Sequence, residues 1–237
     1  MNERAPLPET LERPPRGRVL LLAPHADDDV IGCGGTVCKH ALQGDPVRVL
    51  IAYDGLRGDP EGRYDPLRYR ELRREEARRA GRHLGFEDYR FLDYPEGHEP
   101  TPGELRGAAE RLADEVRDFT PDFVYAPWIG EHHIDHHVLA RAIRLALHLA
   151  GFEGEAWGYE VWTALVPTRI VDVTDVHERK VRALAEHQSQ LEYRDLSHKA
   201  LAITAHRAMY LSDAARHGEA FAPLGPPTAS DADLLAS

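Results

Sequence analysis

A single α/β domain built on a mostly parallel sheet is what this sequence predicts, and three observations carry the prediction. Short, continuous apolar runs recur, as expected of strands buried on both faces of a sheet. Segments of helical length and pattern lie between them, several closed by a glycine. Strand and helix alternate along the chain, the order of βαβ units with helices on both faces of the sheet.

The elements follow in chain order. Residues 1–16 contain Pro6, Pro8, Pro14 and Pro15 without an apolar period and read as a flexible arm. Residues 18–23 (RVLLLA) form the first strand, and 47–53 (VRVLIAY) repeat the pattern. Residues 89–92 are a weaker strand, and 123–126 (FVYA) a fourth, just after Pro121. The helices between them span 30–42, an arginine-rich 66–84 ending at Gly85, 103–119, and 135–150 ending at Gly151. Two more strands are expected over 156–161 and 169–173, then helices over 175–190 and 195–215. The whole reads as one Rossmann-like domain over 17–222, with no internal repeat. The Pro-, Ala-, Ser- and Asp-rich stretch 223–237 is expected to be a disordered tail.

Composition narrows the function. A chain of 237 residues with 42% hydrophobic and 29% charged side chains has the make-up of a soluble globular protein with one sizeable core. Its 29 Lys and Arg against 40 Asp and Glu give a net charge of −11 with no basic block, which argues against nucleic acid as a partner. No apolar run approaches the ~20 residues of a membrane-spanning helix, and the N-terminal stretch lacks the apolar core of a secretory signal. Two cysteines, Cys33 and Cys38, make no disulfide framework, so a reduced, cytoplasmic setting is expected. A homo-oligomer is compatible with all of this.

The first strand runs into Pro24-His25-Ala26-Asp27-Asp28-Asp29, and Gly32, Gly34 and Gly35 open the next helix. Ligands of open α/β sheets bind at the carboxyl ends of the strands, so a site belongs here. The glycines are not a dinucleotide fingerprint: Val37 stands where the third glycine is needed, and three acids would repel a pyrophosphate. A histidine with three carboxylates suits a divalent metal. The plainer alternative is a helix N-cap whose acids complement the helix dipole.

A second cluster tips the balance. Of 14 histidines, four fall within 131–137, the run Glu131-His132-His133-Ile134-Asp135-His136-His137. This loop also follows a strand and precedes a helix. Alone it reads equally as a solvated surface cluster. Two metal-type clusters at equivalent strand ends point to one site, with His133 and His136 spaced to share one side of a helix start. A His-x-His-x-Asp-His frame fails because Glu131 occupies the first histidine position, and no His-Glu-x-x-His occurs.

At these loops the sequence resembles the PIG-L/LmbE-like family of zinc-dependent N-deacetylases. The first family signature, of Ala-His-Pro-Asp-Asp-Glu type, reads Pro24-His25-Ala26-Asp27-Asp28-Asp29 here. The second, His-Pro-Asp-His, reads His133-Ile134-Asp135-His136. The likeness runs from about residue 18 to 221 through Leu72-Arg73-Arg74-Glu75-Glu76-Ala77, Leu84-Gly85, Lys180, His187-Gln188-Ser189-Gln190 and Gly218-Glu219-Ala220-Phe221. Ala26 and Ile134 replace prolines, Asp29 replaces a glutamate, and an arginine that some members place before the strand holding Tyr159 and Glu160 is not recognisable.

The resemblance implies zinc held by His25, Asp28 and His136, with a position left for water; iron(II) or another divalent ion suits the same ligands. It implies Asp27 as general base and a protonated His133, held by Asp135, stabilising the oxyanion or protonating the leaving amine. Arg73 would contact substrate, although a salt-bridged place on the basic helix face with Arg68, Arg70, Arg74, Arg78 and Arg79 explains it equally. The implied reaction removes an N-acetyl group from an N-acetylglucosamine-type sugar or conjugate. Cleavage of a larger sugar-linked amide, a metal-dependent phosphoesterase lacking visible ligands for a second ion, and a non-catalytic metal or sugar-binding protein are the alternatives. Elsewhere Cys33 and Cys38 read as core thiols and Trp128 as the mouth of the site. Trp157 and Trp162 read as core or interface, His132 as pocket rim, His137 as helix surface, and His187, His198 and His206 as packing or solvent-facing.

Overall fold

β2 (Val19–Ala23) is buried on both faces along its whole length, and the sheet is assembled around it. The computed structural model describes residues 6–228 and 231. Among them β1 (Glu9–Leu11), β2, β3 (Val47–Tyr53), β4 (Asp88–Tyr94), β5 (Phe123–Pro127), β6 (Glu155–Tyr159), β7 (Arg169–Asp172) and β8 (Gly218–Pro223) form one sheet. Its order is β1-β7-β8-β6-β5-β2-β3-β4. Only β8 runs antiparallel, to both β6 and β7.

Alternation along β2 divides the core. Val19, Leu21 and Ala23 face a layer containing α1 (Asp28–Leu42), α2 (Pro66–Leu84), α5 (His177–Leu184) and α7 (Leu196–Arg207). Leu20 and Leu22 face α3 (Pro102–Phe119) and α4 (Ile134–Ala150). Each fully buried leucine contributes roughly 1.5–3 kcal/mol of transfer free energy. The helix ends are set locally. Asp65 accepts from the Leu67 and Arg68 amides at the start of α2, and Thr101 with Glu104 forms a capping box on α3.

The glycines after Asp29 serve packing. A Cβ on Gly32 would lie 2.1 Å from the Tyr159 ring, and one on Gly35 would lie 2.7 Å from Val173. Beside Gly35 a buried ion pair braces α1. Lys180 Nζ meets Glu219 Oε1 at 2.7 Å and donates to the Ile31 carbonyl at 2.8 Å. The Glu219 carboxylate accepts from the Gly35 and Thr36 amides, both at 2.7 Å.

Four expectations need correction. The arm contains β1, which pairs in parallel with β7. Three half-polar residues at a sheet edge have too little apolar pattern to be read in sequence. The region 175–190 is not one helix: α5 ends at Leu184, and α6 (Gln188–Leu191) follows a break. The break seats α6 on α2, where Glu76 accepts from the Ser189 amide at 2.9 Å and its hydroxyl at 2.6 Å. The helix expected over 195–215 stops at Arg207, whose Nε donates inward to Glu160 at 2.7 Å, so the chain can turn into β8. The tail is anchored where described: Leu224 is buried, its amide donates to the Ala156 carbonyl at 3.0 Å, and Asp231 meets Arg141 at 3.0 Å. The remainder of that tail and residues 1–5 lie outside the described residues.

Candidate active site

The chain leaves β2 for β3 and β4 on one side and returns to β5 on the other. The loops after β2 and β5, on neighbouring strands, therefore border the crevice that such a change of direction opens. In the first loop the His25 amide and Nδ1 face Asp28 Oδ2 at 3.0 and 3.1 Å. In the second, His136 stands fully buried with Nε2 3.1 Å from the same Asp28 oxygen. Neither ring nitrogen of His136 meets the geometry of a hydrogen bond among the described residues. One ligand atom each from His25, Asp28 and His136 lies within 4.8 Å of the others. Two imidazoles and a carboxylate converging this closely, with nitrogen atoms left over, fit a divalent cation. His25, His133 and Asp135 form a second such group sharing His25.

The charges are strongly perturbed. Burial opposes protonation of His25, but hydrogen bonds to Asp135, Asp28 and Glu96 outweigh it and hold its pKa well above the ordinary 6.5. Asp28 is pushed up by burial and pulled further down by His136 and His25, ending well below the usual carboxylate range. Asp27 is raised, chiefly by burial, with Arg73 opposing. Asp29 is pushed up to about 7 by burial and accepts from the Tyr89 hydroxyl at 2.7 Å.

Asp27 stands at the N-cap of α1, yet its side chain makes no capping hydrogen bond. Its carboxylate instead lines a cavity of about 240 Å³, with Arg73 Nη2 3.4 Å away. Arg73 is buried, donates to the Gly55 carbonyl at 3.2 Å, and lines the same cavity. It is therefore not part of an exposed basic face. His133 also lines the cavity, at the N-cap of α4, with Trp162 stacked beside it.

Asp135 does not hold His133 as expected: its Oδ2 lies 3.8 Å from His133 Nδ1 but 3.1 Å from His25 Nε2. Its Oδ1 accepts from the Gly97 amide at 2.7 Å. Burial, then the neighbouring His136 and His25, lower the His133 pKa, a direction opposite to the expected standing imidazolium. The tryptophans exchange places: Trp162 lines the cavity, 51% exposed, while the indole of Trp128 donates to the Thr163 carbonyl at 2.8 Å. Cys33 and Cys38 are buried free thiols.

Sequence reasoning missed Glu96 and gave Glu131 no role. Glu96, after β4, places Oε2 3.2 Å from His25 Nε2 and lines the cavity. Its signal was its place at a strand's carboxyl end, the criterion that singled out His25 and His133. Glu131 accepts from the Val161 and Trp162 amides at 2.7 and 3.2 Å and stands 3.7 Å from His136 Nδ1. No local pattern announces that tertiary role.

Fold and site together define a Rossmann-like α/β protein with a candidate divalent-cation centre in the crevice at the carboxyl edge of its sheet. The chain belongs to the family described as PIG-L, GlcNAc-PI de-N-acetylase, which matches residues 20–147. It is 29% identical over 194 residues to the diacetylchitobiose deacetylase of Thermococcus kodakarensis, covering 73% of this chain and 70% of that protein. It is 30% identical over 218 residues to the 2'-N-acetylparomamine deacetylase of Streptomyces fradiae, covering 76% of each. Among solved structures it resembles the N,N'-diacetylchitobiose deacetylase of Pyrococcus horikoshii with its inhibitor, at 26% identity and a TM-score of 0.76, over 86% of this chain and 82% of that one. No helix among the described residues is long and apolar enough to cross a membrane.

Proposed function

We propose that this protein is a zinc-dependent hydrolase that removes the N-acetyl group from an N-acetylglucosamine-type sugar or glycoconjugate. The observation that carries the reading is Asp27: a buried carboxylate that makes no capping hydrogen bond, facing the cavity and adjacent in sequence to Asp28 of the convergent His25, Asp28 and His136 group. A purely structural cation site has no use for such a group. The deacetylase activities named for two relatives support the same chemistry.

His25, Asp28 and His136 are the residues that would hold the metal. When bound, zinc there supplies Lewis-acid polarisation of the amide carbonyl and acidifies water. Asp27 takes the proton of the attacking water, whose oxygen bonds to the carbonyl carbon. The C–N bond then breaks, and the proton passes to the leaving nitrogen, giving acetate and a free amine. The raised pKa of Asp27, from burial against the opposing pull of Arg73, suits a group that must both accept and return a proton. His133, on the cavity wall, donates a hydrogen bond to the developing oxyanion. Asp135 orients His25 through the contact at 3.1 Å. Arg73 holds Asp27 and closes the floor of the sugar site.

The test pairs metal content by plasma mass spectrometry with acetate release from N-acetylglucosamine and its glycosides. About one zinc per chain with acetate released, both lost on chelation, supports the proposal. Zinc without acetate from any of them redirects it to a bulkier amide or a binding role, and absence of metal after mild purification overturns it.

A further inference from the structure

We propose that the outer wall of the active-site cavity is a subsite for an anionic group, a carboxylate or phosphate that the substrate carries beyond its acetylated sugar, with Arg57 and Arg194 as the cationic contacts. The proposal rests on the N-deacetylase reading above and deepens it to a substrate class.

Charges of both signs line this single cavity, and they are unequally matched. Its charged lining consists of Asp27, Asp28 and Glu96 against Arg57, Arg73 and Arg194, with the histidines of the candidate centre. The acids are all engaged in the interior: Asp28 with His25 and His136, Glu96 with His25, Asp27 with Arg73. Acids near the mouth are engaged as well. Asp59 accepts from the Arg63 and Tyr64 amides and from the Tyr193 hydroxyl. Glu61 and Glu192 both meet Arg63.

Two cations are left over. Among the described residues the Arg57 guanidinium makes one hydrogen bond, to the Gly97 carbonyl at 3.3 Å. The Arg194 guanidinium meets neither carboxylate nor carbonyl among the described residues. What sets these two apart from other surface arginines is their place on the active-site cavity, whereas Arg48, Arg74, Arg90 and Arg141 each find an acid within 3.0 Å. The two arginines come from separate segments, a 3₁₀ turn after β3 and the loop between α6 and α7. They line the same cavity, with Trp162, Tyr193 and Leu196 supplying apolar surface beside them. A guanidinium presents a planar fork of donors that matches a carboxylate or a phosphate. Such a mouth favours an anionic aglycone, tolerates a neutral one and repels a cationic one.

The test uses metal-loaded full-length protein and four substrates: methyl N-acetylglucosaminide, its 2-carboxyethyl and 2-aminoethyl counterparts, and N-acetylglucosamine 1-phosphate. The expected kcat/KM is about tenfold higher for the anionic members than for the methyl glycoside, the scale of one charge-assisted hydrogen bond, and lowest for the aminoethyl glycoside. The two anionic members distinguish carboxylate from phosphate. Arg57→Gln and Arg194→Gln should each lower the anionic-to-neutral ratio by about threefold, through KM, and added salt should lower it in the wild type. Equal kcat/KM for all four, or a ratio that neither substitution moves, overturns the subsite. If no member releases acetate, the reaction reading fails by itself, and calorimetric titration with N-acetylglucosamine 1-phosphate and the methyl glycoside decides the subsite. Tighter phosphate binding that Arg194→Gln abolishes upholds it, and equal binding overturns it.

Discussion

Two buried charge clusters lie on α1, and they differ in one respect. At the middle of the helix, Lys180 and Glu219 are almost wholly buried, and every polar atom is matched: the ammonium by Ile31 and Glu219, the carboxylate by Lys180 and the Gly35 and Thr36 amides. At the start of the helix, Asp28 and His136 are equally buried, yet both ring nitrogens of His136 lack a hydrogen bond among the described residues. Burying charge is costly unless it is paired and hydrogen-bonded. A cluster that closes on itself is a brace. One that leaves convergent donor atoms open fits a ligand from outside.

Substitutions can break this contrast. The largest effect is expected for His136→Ala, which should lower bound metal from about one per chain to under about a tenth and reduce acetate release to background, because a catalytic centre with three protein ligands has none to spare. Metal retained in full by that variant would place the centre elsewhere. Asp27→Asn comes next. It should keep its metal and lose kcat by about 10²–10⁴-fold, the usual worth of a general base. Turnover within threefold of the wild type would assign the base to another group.

The closed cluster predicts a loss of stability instead. Lys180→Met leaves Glu219 charged and buried, and urea titration should register a loss of about 3–5 kcal/mol. Lys180→Met combined with Glu219→Gln should recover part of it, since no uncompensated charge remains. A single-variant cost below about 1 kcal/mol would mean that the pair is not a brace.

The smallest effect concerns His187, buried with both ring nitrogens unpartnered among the described residues and its pKa pushed down to about 3 by burial and then by Arg73. The folded chain resists a proton that the unfolded chain takes near 6.5. Its contribution to stability is therefore present above pH 6.5 and lost progressively as pH falls towards 3. His187→Leu should flatten the fall in stability between pH 6.5 and 4, measured as urea midpoints. An unchanged slope would show that the ring is solvated in the folded chain.

The strongest elements of the fold were those legible in the sequence. Residues 18–23 and 47–53 read as buried strands because a strand covered on both faces must be apolar throughout, and the helix read over 66–84, closed by Gly85, matches α2. β1 and β8 were not legible, since one is a short edge strand and the other owes its burial to neighbours far away in the chain. The break between α5 and α6 depends on Glu76, a residue 113 positions before Ser189. The His25 and His133 loops were visible because each groups its chemistry within a few residues.

The sequence by itself determined the fold class, the two loops and the residue types they bring, because strand burial and helix capping act over a few residues and leave local patterns. Tertiary structure alone decided how those residues face one another. It turned Asp27 away from its capping position and into the cavity, brought Arg73 in from the basic helix, and moved Asp135 from His133 to His25. It also recruited Glu96 and left Arg57 and Arg194 without acids among the described residues. The physical reason is range. A side chain's partner across the crevice belongs to another strand, and electrostatic matching between strands depends on packing that no single stretch of sequence contains.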